Sequence, residues 1–124
     1  MKILLVSQEY PPAVGGAGVV ARQNAEELSR QGHAVTVLTR RWGVESPAEG
    51  VRVVEAGGLR ALWPLAMAWR IKCLGPRRYD AIIINDIGAA VAFIGVPGYR
   101  KYFAKSIYYL HGGEVDSILR RPQG

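Results

Sequence analysis

The sequence predicts an open, mostly parallel α/β sheet, doubly wound, with helices on both faces. Three observations point there. Five short runs are rich in β-branched residues: KILLVS (2–7), AVTVLT (34–39), VRVVEA (51–56), AIIIND (81–86) and SIYYLH (106–111). Most are continuously apolar, as strands buried on both faces are, and do not alternate as half-exposed strands do. Helical spacing fills the gaps between them. Glycine and proline gather at the junctions, 15 and 7 in 124 residues, where they act as loop punctuation.

Taken in order, the first strand (2–7) leads into a stiff loop, EYPPAVGGAG. From Ala17 to Gln31 a helix is expected, because Val20, Ala21, Asn24, Leu28 and Gln31 keep i, i+3, i+4 spacing. Gly32 closes it as a left-handed cap would. The strands at 34–39 and 51–56 follow. Pro64 suits a first helical turn, so a second helix should run over 64–74 until Gly75-Pro76 stops it. After the strand at 81–86 comes a short helix from Gly88 to Ile94, and the strand at 106–111 closes the series. Strands alternating with helices imply crossovers of one hand, hence a Rossmann-like sheet.

Composition narrows the function. With 49% hydrophobic and 21% charged residues the chain is an ordinary globular domain of one core. The single cysteine, Cys73, excludes an internal disulfide; with no other cysteine nearby it is expected as a packed apolar residue. The start, MKILLV, reads as a strand and not as a signal peptide, and the longest apolar stretch is interrupted by Asn85 and Asp86. A cytoplasmic protein is expected. The net charge of +6 favours anionic company: a phosphate, a nucleotide or an acidic membrane face. No nucleic-acid motif appears, and no Cys/His/Asp cluster has metal-ligand spacing, so neither nucleic acid nor metal is expected.

In such sheets ligands bind beyond the carboxyl ends of the strands, where strand order reverses. That ranks the loops at Ser7–Gly18, at Asn85-Asp86-Ile87-Gly88 and at His111-Gly112-Gly113-Glu114, with Arg40, Arg41 and Trp42 at the same edge. Gly15-Gly16 precedes a helix start, whose free amides and dipole attract an anion. Missing side chains at Gly15, Gly16 and Gly18 would let a diphosphate reach those amides. The alternative is a tight turn with no ligand. Gly16-x-Gly18-x-x-Ala21 also matches a dinucleotide fingerprint in letter, but too far from the strand end. The basic Thr39-Arg40-Arg41 would suit only NADP.

These residues, in this order, resemble the N-terminal domain of retaining glycosyltransferases of the GT-B fold, the family that includes sucrose synthases and bacterial phosphatidylinositol mannosyltransferases. The resemblance rests on the apolar strand 3–7, Pro11-Pro12, Gly15-Gly16, the helix ending in Gly32-His33, the strand 34–39, and then YDAIIIND and IYYLHGGE. It implies a UDP-, GDP- or ADP-sugar donor, a glycan, lipid or small-molecule acceptor, retention of configuration, and no cofactor or metal. It also implies that residues 1–124 are the acceptor-side half of a two-domain enzyme. The donor-binding domain would then be missing and this half itself incomplete, so the chain alone should be inactive. Gly15 and Gly16 would contact the donor phosphates and His111 would lie beside the transferred sugar. Asp86 would activate or orient an acceptor hydroxyl, with Asn85 and Glu114 on the acceptor side. In many members an Asp follows the histidine directly; here Gly112-Gly113 intervenes before Glu114.

Two readings from other classes stand beside this one: a non-catalytic Rossmann-like module for a phosphorylated ligand or partner, and an NADP-binding domain. The segment LRALWPLAMAWRIKCLG adds a further choice. Trp63, Trp69, Arg70 and Lys72 on an apolar helix fit a peripheral contact with an anionic membrane. They fit equally a helix covering the sheet with its cationic stems laid along it.

Overall fold

Residues that are apolar on every position of a strand must be covered on both faces, and the structure obeys that demand. It is a computed structural model describing residues 1–12, 16–44, 50–57 and 60–108. The strands are β1 (Lys2–Val6), β2 (Ala34–Arg40), β3 (Val51–Ala56), β4 (Ala81–Ile84) and β5 (Ser106–Tyr108), in one sheet of order β3-β2-β1-β4-β5. Every neighbouring pair is parallel. In register, Leu5 of β1 sits between Val37 of β2 and Ile83 of β4.

Three helices lie against this sheet: α1 (Gly16–Arg30), α2 (Trp63–Leu74) and α3 (Ile87–Ile94). The chain steps from β1 toward β3 on one side, then returns to place β4 and β5 on the other. Crossovers of one hand then require α1 on one face and α2 with α3 on the opposite face. The two cores show that division. Leu4, Val6, Leu38, Ile82 and Ile84 face Met67, Ile71, Ala89, Ala92 and Phe93. Leu5, Val35, Val37 and Val51 face Ala21, Ala25 and Tyr10. Alternate residues of β1 therefore serve alternate layers, each buried leucine or valine contributing roughly 1.5–3 kcal/mol.

The helix boundaries follow local chemistry. Gly32, in the left-handed region at φ 93°, ends the path out of α1. Pro64 stands in the first turn of α2, where its missing N–H costs nothing. At the far end Gly75 turns left-handed, and its N–H reaches the carbonyls of Ile71 and Lys72. Strand β4 stops two residues short of the expected Asp86, because the side chains of Asn85 and Asp86 take up neighbouring backbone groups. Cys73 is a correction: it is exposed, not packed. Met67, Ala68 and Ile71 set the buried stripe of α2, so the Leu65–Trp69–Cys73 row of i, i+4 positions faces outward.

Candidate functional site: the carboxyl edge at the strand-order reversal

Strand order reverses between β1 and β4, so their carboxyl ends frame the crevice where a doubly wound sheet binds ligands. The residues leaving β1 are Ser7, Gln8 and Glu9; those leaving β4 are Asn85 and Asp86. The structure ties them into one buried network.

Asp86 is its centre. It is the N-cap of α3, its extended backbone (φ −146°, ψ 173°) aiming the carboxylate back at the amide of Ala89, 2.7 Å away. The same oxygen, Oδ1, accepts from Gln8 N at 3.1 Å. Oδ2 accepts from Glu9 N at 3.1 Å and lies 3.2 Å from Ser7 Oγ. Three backbone amides thus donate to the carboxylate, while the single hydrogen of Ser7 Oγ, which also lies 2.5 Å from the carbonyl of Glu9, serves one oxygen at a time. Only 9% exposed, Asp86 clips the loop after β1 onto the start of α3.

Asn85 is likewise turned inward. It is fully buried, and its Nδ2 donates to Ser7 Oγ at 3.1 Å and to the carbonyl of Ala17 at 2.9 Å. Both amide hydrogens serve partners inside the protein, and the one to Ala17 is a structural bond. That bond pulls the first turn of α1 against the end of β4. The two helix N-termini then differ in electrostatics. The α3 end already holds the Asp86 carboxylate, whereas the first turn of α1 contains no acidic residue.

The glycines of the loop divide by task. Gly16 opens α1, is exposed, and has nothing within 4 Å of where a Cβ would stand. Gly18 is buried instead, and a Cβ there would meet Tyr10 N at 3.1 Å and Glu9 C at 3.3 Å. Its bareness lets α1 lie against the Glu9–Tyr10 backbone, so the expectation that Gly18 clears room for a diphosphate is corrected. At α3, Gly88 leaves space that the Gln8 side chain fills. Gly15, His111 and Glu114 lie outside the described residues.

Beside this crevice a groove of about 530 Å³ runs between the segments leaving β1 and β2, lined by Tyr10, Pro11, Pro12, Arg22, Trp42, Gly43 and Val44. The Pro11–Pro12 peptide is cis. Trp42 is fixed by its indole N–H, which donates to the carbonyl of Gln8 at 2.9 Å. Tyr10 is 1% exposed, and its hydroxyl finds no partner among the described residues. Burial pushes that phenol above its ordinary range, with Arg22 pulling it down and Glu26 pushing it up. Sequence reasoning placed Arg40 and Trp42 at this edge but missed two things. One is that Arg40 reaches Trp63, which lies 23 positions away. The other is that Tyr10 is core; its place at i+4 from the last strand residue, Val6, carries no such signal.

Among the described residues no group of three or more His, Cys, Asp or Glu could hold a metal ion, and no helix is long and apolar enough to cross a membrane. On α2, Leu65 and Trp69 are about two-thirds exposed, at 65% and 64%, beside the exposed Arg70 and Lys72.

Comparison with known proteins agrees with the resemblance read from the motifs. Residues 14–123 match the sequence pattern of Glycosyltransferase Family 4. An uncharacterized glycosyltransferase of Methanocaldococcus jannaschii, MJ1607, is 34% identical across 69% of this chain. The chain spans 25% of the length of that relative. Among solved structures, the C-terminal domain of the coenzyme A biosynthesis bifunctional protein CoaBC superposes with a TM-score of 0.48 at 15% identity. It covers 68% of this chain and 43% of that one, a likeness too slight to bear on function. By the extent of the family match, the chain belongs to Glycosyltransferase Family 4.

Proposed function

We propose that this chain is the acceptor-side half of a GT-B glycosyltransferase. In this reading it moves a sugar from a nucleotide-diphosphate donor to an acceptor with retention of configuration. The observation that carries the reading is the start of α1. It opens on an exposed Gly16, holds no acid in its first turn, and is drawn to the reversal point by the Asn85–Ala17 bond. Free amides at the positive end of a 15-residue helix suit a diphosphate. They suit it most as the bond to sugar breaks and negative charge grows on the leaving group. Gly15 and Gly16 meet the donor phosphates. His111 stands beside the transferred sugar, and Glu114 faces the acceptor.

Asn85 and Asp86 act here as positioning residues. Their buried network holds the loop after β1, α1 and α3 in one arrangement, so the amides need no rearrangement when the donor arrives. A second domain supplies the rest of the donor site, since half a cleft cannot bury the 70–90% of surface that closed pockets cover. The exposed Leu65 and Trp69 with Arg70 and Lys72 support a peripheral contact between α2 and an anionic membrane, in a cytoplasmic setting.

The test compares the parent and Gly16→Val in protein carrying both halves, with steady-state transfer from UDP-, GDP- and ADP-sugars as the readout. A valine side chain at Gly16 has room to fold and stands in the path of the anion. The expected result is a weakened donor interaction at unchanged melting temperature. Equal donor KM and turnover in the two proteins would remove the loop from the donor site.

A further inference from the structure

The carboxyl edge of β2 carries a cation whose contacts among the described residues are with aromatic rings. The guanidinium carbon of Arg40 lies 5.0 Å from the ring centroid of Trp42 and 5.0 Å from that of Trp63. Cation–π contact of this kind uses the face of the ring and consumes none of the five N–H donors of the guanidinium. Among the described residues, the ion pairs all lie within α1 and none involves Arg40. The nearest acid along the strands, Glu55, is committed elsewhere: its oxygens accept from the amides of Gly43 and Val44, both at 3.0 Å. That grip orders the turn immediately after Trp42, and the indole N–H is itself tied to Gln8. The next residue supplies a second guanidinium, with Arg41 Nη1 3.9 Å from the Cβ position of Gly57, just past the end of β3.

A half-buried arginine with no acceptor among the described residues, next in sequence to a second arginine at a ligand-binding edge, is organised to receive an anion. We propose that Arg40, in contact with both Trp42 and Trp63, is a phosphate-recognition site that takes a phosphate monoester or diester of the acceptor. The inference deepens the transferase reading and rests on it only for the word acceptor; the site itself is separate from the α1 amides.

The test uses the whole 124-residue chain, labelled with nitrogen-15 and titrated with inorganic phosphate against sodium chloride of matched ionic strength. Saturable shifts are expected at Arg40 Nε–H and at the indole N–H of Trp42 and Trp63. Arg40→Lys keeps the charge but loses the planar fork, and should weaken binding about tenfold or more; Arg40→Gln should abolish it. Shifts in the parent that merely track ionic strength overturn the proposal without recourse to any variant, as does full binding by a folded Arg40→Gln protein. Glycerol phosphate and vesicles of phosphatidylglycerol in phosphatidylcholine separate the sources. Arg40-dependent binding of the first indicates a soluble phosphorylated acceptor, and of the second alone a lipid headgroup. Because Gly16→Val should leave phosphate binding at Arg40 intact, failure here and failure of the donor-loop reading remain distinguishable.

Discussion

Replacing Asp86 tests whether its carboxylate is a clip or a free reactive group. In Asp86→Ala the cap of α3 is lost, which costs about 0.5–2 kcal/mol in comparable helices. The amides of Gln8 and Glu9 also lose a charged acceptor, and hydrogen bonds to charged groups are worth roughly 1.5–3 kcal/mol each. Both amides are part-buried, so water recovers some of that loss. The terms share one side chain and do not add fully. The net expectation is about 3–5 kcal/mol of destabilisation, a large fraction of the roughly 5–15 kcal/mol that holds a domain together. Asp86→Asn keeps one acceptor oxygen and turns an N–H₂ toward amides that are themselves donors, so about half that loss should remain. Urea unfolding followed by far-UV circular dichroism measures both variants. If Asp86→Asn unfolds within about 0.5 kcal/mol of the parent, an ordinary surface effect, the clip is refuted and a free carboxylate becomes the better description.

Three further outcomes follow from the same geometry. Gly18→Ala should destabilise by about 1–3 kcal/mol through overpacking against the Tyr10 backbone, while Gly16→Ala should not; equal melting temperatures would dissolve the distinction between them. Tyr10→Phe removes a buried hydroxyl that has no partner among the described residues and should hold or raise stability. The folded-state pKa of Tyr10 is raised, so its contribution is intact below the ordinary tyrosine value of about 10 and is lost as pH climbs above it. The phenylalanine variant should therefore show a shallower alkaline decline in urea midpoints than the parent, and identical slopes would argue against a desolvated phenol. His111→Ala, in protein carrying both halves, should lower turnover about two- to tenfold, the worth of one neutral hydrogen bond, with melting unchanged. Lost stability with retained turnover would make His111 a structural residue.

The fold was legible because its determinants are local. Continuous apolar runs announced buried strands, and Gly32, Pro64 and Gly75 marked helix ends to within a residue or two. The reversal of strand order was implied by the alternation of strand and helix, and the structure places α1 opposite α2 and α3 accordingly. The site was less legible, since the bonds from Asn85 and Asp86 to the loop after β1 and to α1 join residues more than sixty positions apart. Nothing in the letters Asn85-Asp86 says that the two side chains bond residues 7–9 and 17. The glycines made the same point: Gly16 and Gly18 look alike in sequence, yet one borders open space and the other the Tyr10 backbone. Cys73 was misplaced because its apolar character says nothing of which side of α2 it occupies.

The most direct test of the central claim is the donor kcat/KM of the two-domain protein with glycine or valine at position 16, across UDP-, GDP- and ADP-sugars. The account predicts transfer from one of these donors by the parent. With valine, kcat/KM should fall by at least about tenfold, as expected when a charged hydrogen bond is lost, at the same melting temperature. Transfer at the parental kcat/KM by a folded Gly16→Val protein would contradict the assignment of donor phosphates to the start of α1.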